Sequence, residues 1–144
     1  NAIKLPEKDF LQRDFHVSNI IKKQKKFHLI DSQDAVIGNP AYDLASLIDD
    51  VRLKTSNSLK EEMFNHFTKK YLNRDLKKFE NDFLILSVLR NFKILGIFSR
   101  LAKRDDKNKY LKYIPYTWSL IKLRTKNGKV FDELRFILNN NKFI

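Results

Sequence analysis

A mainly helical α+β fold is predicted, and three features of the 144-residue sequence predict it. Two short β-favouring runs, Ile20-Ile21 and Phe27-His28-Leu29-Ile30, sit in the first forty residues and are joined by the polar link Lys22 to Lys26. From about Pro40 onward the apolar residues recur at helical spacing. Only three glycines and three prolines punctuate the chain, with no repeat, low-complexity block or Gly/Ser linker, so residues 1–144 are expected to form a single domain.

The β runs read as a hairpin, and Phe15, Val17, Ile20, Ile21, Phe27, Leu29 and Ile30 are expected to form the core around it. Asn39 can cap a first helix with Pro40 in its first turn. Leu44, Leu47, Ile48 and Val51 fall on one face of that helix, which should run to about Leu53. Ser58 with Glu61 three residues on forms a capping box, followed by a stripe of Met63, Phe64, Phe67 and Tyr71. Asp75 can cap a long, mostly buried helix with the stripe Phe79, Phe83, Leu86, Leu89 or Arg90, Lys93 and Ile97, ending near Leu101. The charged run Lys103 to Lys109 is then a loop. Tyr110 to Leu123 reads as a helix that must start or kink at Pro115. After Asn127-Gly128, Val130 to Leu138 closes the chain with Phe131, Leu134, Ile137 and Leu138 on one side.

Composition narrows the function classes. Twelve phenylalanines and 42% hydrophobic residues can supply one sizeable core. No stretch approaches the roughly 20 apolar residues of a membrane-spanning helix, since Arg90, Asn91, Lys93 and Arg100 break the longest apolar neighbourhoods. Without cysteine there is neither a disulfide nor a thiolate metal site. The first residues carry no signal-peptide apolar core, and a cytoplasmic protein is expected. The chain starts with Asn, and motif-like sequence is present by its second decade, which predicts further material upstream. A net charge of +12 invites a polyanionic partner, but the lysines come in small groups over the whole length and mix with Asp and Glu. That scatter favours solvated helix faces over a nucleic-acid footprint.

Chemistry concentrates around the hairpin. Arg13-Asp14-Phe15-His16-Val17-Ser18-Asn19 precedes its first strand, and Asp31-Ser32-Gln33-Asp34 follows its second. A hairpin returns the chain to its starting end, so Asp14, Asn19 and Asp31 can converge although distant in sequence. Two carboxylates and an amide are hard oxygen donors that suit Mg²⁺ together with substrate phosphates.

The order Asp-x₄-Asn, hairpin, apolar-apolar-Asp resembles the catalytic loop and metal-binding segment of kinases. Ile30-Asp31-Ser32-Gln33-Asp34-Ala35, Gly38 and Tyr42-Asp43-Leu44-Ala45-Ser46-Leu47 are similar to the signature of the aminoglycoside and choline kinase-like phosphotransferases, which have the protein-kinase-like fold. Within that family the segments look closest to the bacterial kinases acting on the anomeric hydroxyl of N-acetylmuramate and N-acetylglucosamine. The run Leu89-Arg90-Asn91-Phe92-Lys93-Ile94-Leu95-Gly96-Ile97-Phe98, with Arg104-Asp105-Asp106 and Tyr110-Leu111, extends the likeness. It spans about Phe10 to Leu120.

The resemblance implies an α+β, mainly helical C-terminal lobe, with Mg²⁺ as cofactor and ATP as phosphate donor to a sugar or amino-sugar hydroxyl. It makes Asp14 the catalytic base and Asn19 and Asp31 the metal ligands. Asp34 and His16 would stand near metal and phosphates, with Asp43 and Gly38 structural. Arg90, Lys93 and Arg104 are acceptor candidates by position alone. Two departures stand out. Gln12 occupies the place where these enzymes usually carry His. Nothing resembles a Gly-rich loop or the strand lysine of the preceding β-rich lobe, so this stretch alone should bind ATP poorly. The alternatives are an aminoglycoside- or choline-type kinase lobe, a catalytically silent interaction module with a basic surface, and charge-driven nucleic-acid binding, which a salt titration would expose.

Overall fold

The computed structural model describes residues 9–71 and 75–140. It is mostly helical with two small antiparallel sheets. Strands β1 (Asp9–Leu11) and β4 (Val36–Gly38) pair with Asp9 opposite Gly38, Phe10 opposite Ile37 and Leu11 opposite Val36. Between them lies the hairpin of β2 (Ile20–Lys23) and β3 (Lys26–Leu29), with Ile20 opposite Leu29 and Lys23 opposite Lys26. Gln24 and Lys25, both at positive φ (45° and 65°), make the two-residue turn whose twist matches that of the strands. Leu11 and Gly38 bring β1 and β4 together: a Cβ on Gly38 would meet Leu11 Cδ1 at 2.6 Å.

The chain divides into two compact units, residues 1–87 and 88–144. In the first, α1 (Ala41–Ile48), α2 (Asn57–Tyr71) and the start of α3 (Leu76–Asp105) enclose a core of Ala41, Leu44, Ala45, Ile48, Phe79 and Phe83. Met63, Phe64 and Phe67 of α2 pack on it, with Phe67 stacked on Phe79 at 5.7 Å and Phe64 tilted on Phe83 at 4.9 Å. Full burial of side chains of this size stabilises by about 1.5–3 kcal/mol each. In the second unit, the rest of α3 packs with α4 (Ile114–Thr125) and α5 (Asp132–Asn140) around Leu95, Ile121 and Leu138. Trp118 meets Phe92 edge-on at 5.9 Å.

Several boundaries differ from the sequence reading, each for a local reason. Helix α1 stops at Ile48, not Leu53, because Asp49 leaves helical geometry (ψ 37°) and the Asp50 carboxylate then caps the N–H of Arg52. The cap of α2 is Ser56, whose Oγ accepts the N–H of Leu59 at 3.2 Å, and Ser58 is already helical. The Tyr71 side chain of the α2 stripe lies outside the described residues. Asp75 does cap α3, accepting the N–H of Lys78 at 3.2 Å. That helix outruns Leu101 to Asp105 and ends where Asp106 turns to φ 52°. On its surface Leu89 is exposed while Arg90 is buried, and Pro115 sits at the start of α4 after a 3₁₀ turn over Asn108–Tyr113. The closing helix starts at Asp132 behind a 3₁₀ turn over Lys129–Phe131, and Ile137 faces solvent.

The largest correction concerns the hairpin. Ile21, Phe27, Leu29 and Ile30 are exposed, Phe27 by 70%, while Phe15, Val17 and Ile20 are half-buried. A two-stranded ribbon has two faces, and both stay open to solvent here, so period-2 apolarity places no core by itself.

Candidate active site

The loop that follows β1 is fastened residue by residue. Arg13 adopts φ 70°, a left-handed conformation that a non-glycine residue holds only when its surroundings over-determine it. Here the Asp43 carboxylate, in the first turn of α1, accepts the N–H of Gln12 at 2.6 Å and that of Arg13 at 3.0 Å. A carboxylate is also favoured at that end of a helix by the positive pole of its dipole. Asp14 comes next, half-buried, and its carbonyl accepts the N–H of His16 at 2.9 Å and the Nδ2 of Asn19 at 3.0 Å. A 3₁₀ turn over Val17–Asn19 carries the chain into β2, with the N–H of Val17 donating to Asp50 Oδ2 at 3.0 Å.

The segment after β3 is held to the same loop. Ile30 N–H donates to the Asn19 carbonyl at 3.1 Å, continuing the ladder one step past the hairpin. The buried Gln12 amide donates through Nε2 to the carbonyls of Ile30 and Asp31 at 3.0 and 2.9 Å. Asp31 is exposed and, like Arg13, left-handed at φ 63°. Its Oδ1 accepts the Gln33 side-chain amide. Arg13 Nη1 reaches the Asp34 carbonyl at 3.4 Å, a long contact.

Thus Asp14 and Asn19 are joined through the Asp14 carbonyl, and Asp31 is tied to the same loop through Gln12. Among the described residues the Asp14 and Asp34 carboxylates accept no hydrogen bond, and Asn19, with its nitrogen engaged, keeps Oδ1 available. His16 takes part through its backbone, and Gly38 belongs to the β1–β4 contact. Arg90, Lys93 and Arg104 belong to the second unit. Arg104 is engaged with Asp105 through Nε at 2.6 Å and Nη2 at 3.1 Å. That hydrogen bond raises the guanidinium pKa and, as the largest cause, holds the Asp105 carboxyl below its usual range.

No group of three or more His, Cys, Asp or Glu is close enough to hold a metal among the described residues. The Asn19 amide oxygen and the Asp31 carboxylate, expected from the sequence to hold metal, are hard-oxygen donors by type. Donors of this type suit Mg²⁺, which is commonly bound by one or two carboxylates with water and substrate phosphates completing its shell.

Sequence reasoning missed the polar groups beneath the loop. Asp49 and Asp50 are 0% and 1% exposed; Asp49 pairs with the buried Lys60 at 3.2 Å and accepts the Ser87 hydroxyl at 2.6 Å. Asn39 donates to the buried Asp82 at 2.8 Å. One signal was present: Lys60, Met63, Phe64 and Phe67 share one helical face, so a lysine on an apolar stripe required a buried partner.

A family model described as the phosphotransferase enzyme family, APH, matches residues 5–76. The N-acetylmuramate/N-acetylglucosamine kinase of Caulobacter vibrioides is 32% identical over 114 residues, covering 76% of this chain and 31% of that protein. The proteins of the same name from Neisseria meningitidis and Pseudomonas aeruginosa are 32% identical over 114 residues and 30% over 112. These cover 75% and 74% of this chain and 34% and 33% of the relatives. The chain therefore spans about a third of the length of the curated relatives it matches.

Proposed function

This chain belongs to the APH phosphotransferase enzyme family, and on that premise we propose that the protein containing it transfers the γ-phosphate of ATP to a hydroxyl of a sugar, specifically a cell-wall amino-sugar. The observation that supports this reading is the pair of ties through main-chain carbonyls, from Asn19 Nδ2 to Asp14 and from Gln12 Nε2 to Asp31, which hold the segments before and after the hairpin to one loop. The names of the relatives favour an amino-sugar over an aminoglycoside or choline.

In this reading Asp14 accepts the proton of the attacking hydroxyl, and its lack of a hydrogen-bonding partner among the described residues leaves the carboxylate available for that purpose. Asn19 and Asp31 hold Mg²⁺, whose contribution when bound is to neutralise charge developing on the phosphate oxygens. Asp34 and His16 take supporting places near the metal and phosphates in this reading, by their position in the sequence. Phosphoryl transfer asks mainly for positioning, which a loop pinned at each step provides. The reading includes a preceding lobe that grips the nucleotide and a reaction in the cytoplasm, where ATP is at hand as donor.

The test is an acceptor panel for the full-length protein with Mg²⁺ and ATP: N-acetylmuramate, N-acetylglucosamine, an aminoglycoside and choline. Phosphorylation of the amino-sugars well above the other two is expected. Transfer to choline or the aminoglycoside alone would overturn the substrate assignment, and transfer to none would overturn the function.

A further inference from the structure

Two adjacent aspartates end helix α1, Asp49 at 0% and Asp50 at 1% exposure. This is a costly place for negative charge, because the carboxylates lose water and the C-terminal pole of a helix is itself negative. Asp49 is compensated locally by Lys60 and Ser87. Asp50 is compensated in part by Arg52, through its N–H at 2.9 Å and its guanidinium at 3.5 Å, both on Oδ1. Its other oxygen is spent elsewhere, on the N–H of Val17, 33 residues away in sequence.

Val17 lies between Asp14 and Asn19, in the 3₁₀ turn that sets their separation. Asp43 fastens the same loop just before Asp14, at Gln12 and Arg13. The start of α1 therefore pins the loop on one side of Asp14, and the residue just past its end pins it on the other. We propose that Asp50 is a positioning residue, acting through the Val17 amide to hold Asp14 and Asn19 in their working arrangement. The proposal rests on the phosphotransferase reading of those two residues. What the interaction requires is an acceptor oxygen at that point, so an amide in place of the carboxylate can still serve.

The experiment compares Asp50→Ala, Asp50→Asn and Ser87→Ala in the full-length protein, reading kcat, the KM for ATP and hydrogen exchange of the Val17 amide. Misplacement of a catalytic group by about 1 Å can cost about 100-fold, so Asp50→Ala should lower kcat by about 10- to 100-fold with KM for ATP within about twofold. Its Val17 amide should exchange faster. Asp50→Asn should stay within about fivefold of wild-type kcat, since its Oδ1 can accept the same N–H. Ser87→Ala, which loosens the neighbouring Asp49 but not the loop, should turn over normally. Wild-type kcat in a folded Asp50→Ala protein overturns the proposal whatever the exchange shows, and so does an Asp50→Asn protein as slow as the alanine variant. If Asp50→Ala does not fold, the comparison of Asp50→Asn with wild type decides, and a kcat more than about tenfold below wild type overturns the proposal. If the wild type transfers no phosphate to any acceptor, the functional reading fails separately. The anchor then stands or falls on Val17 exchange, with an unchanged rate in Asp50→Ala counting against it.

Discussion

Lys60 shows what a single residue can hide. Its side chain is 3% exposed, and its ammonium lies 3.2 Å from Asp49 and donates to the Ile48 carbonyl at 2.6 Å, so it neutralises a buried carboxylate and occupies an orphan acceptor at the end of α1. Lys60→Met keeps most of the apolar stem but strands the Asp49 charge. Breaking one side of a buried pair costs about 3–5 kcal/mol, and urea unfolding of the full-length variant should show a loss of that order. A loss below about 1 kcal/mol would mean that the pair contributes little. Of the residues given roles in the proposed reaction, Asp14, Asn19 and Asp31 were singled out in the sequence because their order along the chain has a chemical meaning. Asp50 was not, because its partner is a backbone N–H, and a main-chain donor leaves no trace in residue identity. Gln12 was noticed only as a substitution, whereas its amide bridges two segments by bonding the carbonyls of Ile30 and Asp31.

At the scale of elements, periodicity located the five α-helices of the described residues and missed several of their ends and the short 3₁₀ turns. The face of α2 was readable from Met63, Phe64 and Phe67, since burial against α1 and α3 demands a stripe. Its start was not, because Ser56 and Ser58 both stand ahead of that stripe and only backbone geometry decides between them. Ser56 Oγ accepts the N–H of Leu59, so Ser56→Ala should cost about 1 kcal/mol while Ser58→Ala changes stability by only a few tenths. Thermal melts of the two variants discriminate, and the reverse order would restore the capping box at Ser58. The hairpin illustrates the opposite failure. Its strands and turn were legible from β-favouring runs, but its exposure was not, because alternation says which residues share a face and not whether anything covers it. The β1–β4 pair escaped notice because each strand has three residues, too few for a period to register.

For the whole molecule, charge decides less than it promises. The +12 excess is spread along the chain and includes Lys22, Lys23, Lys25 and Lys26 of the hairpin, whereas the proposed site residues Asp14, Asn19 and Asp31 are acidic or neutral. Oxygen donors of that kind attract a cation that in turn receives phosphate, a different logic from a basic surface that binds phosphate directly. No helix among the described residues is long and apolar enough to cross a membrane. The chain spans about a third of the relatives' length, so the central claim is put to the test on full-length protein. The most direct measurement is turnover of full-length Asp14→Asn and Asp31→Asn proteins with Mg²⁺, ATP and an amino-sugar. Removal of a general base at Asp14 costs about 10²- to 10⁴-fold, and removal of a metal ligand at Asp31 takes away the ion that neutralises phosphate charge, so each variant should fold, melt near the wild-type temperature and lose at least about 100-fold in kcat. Wild-type turnover in both would contradict the account.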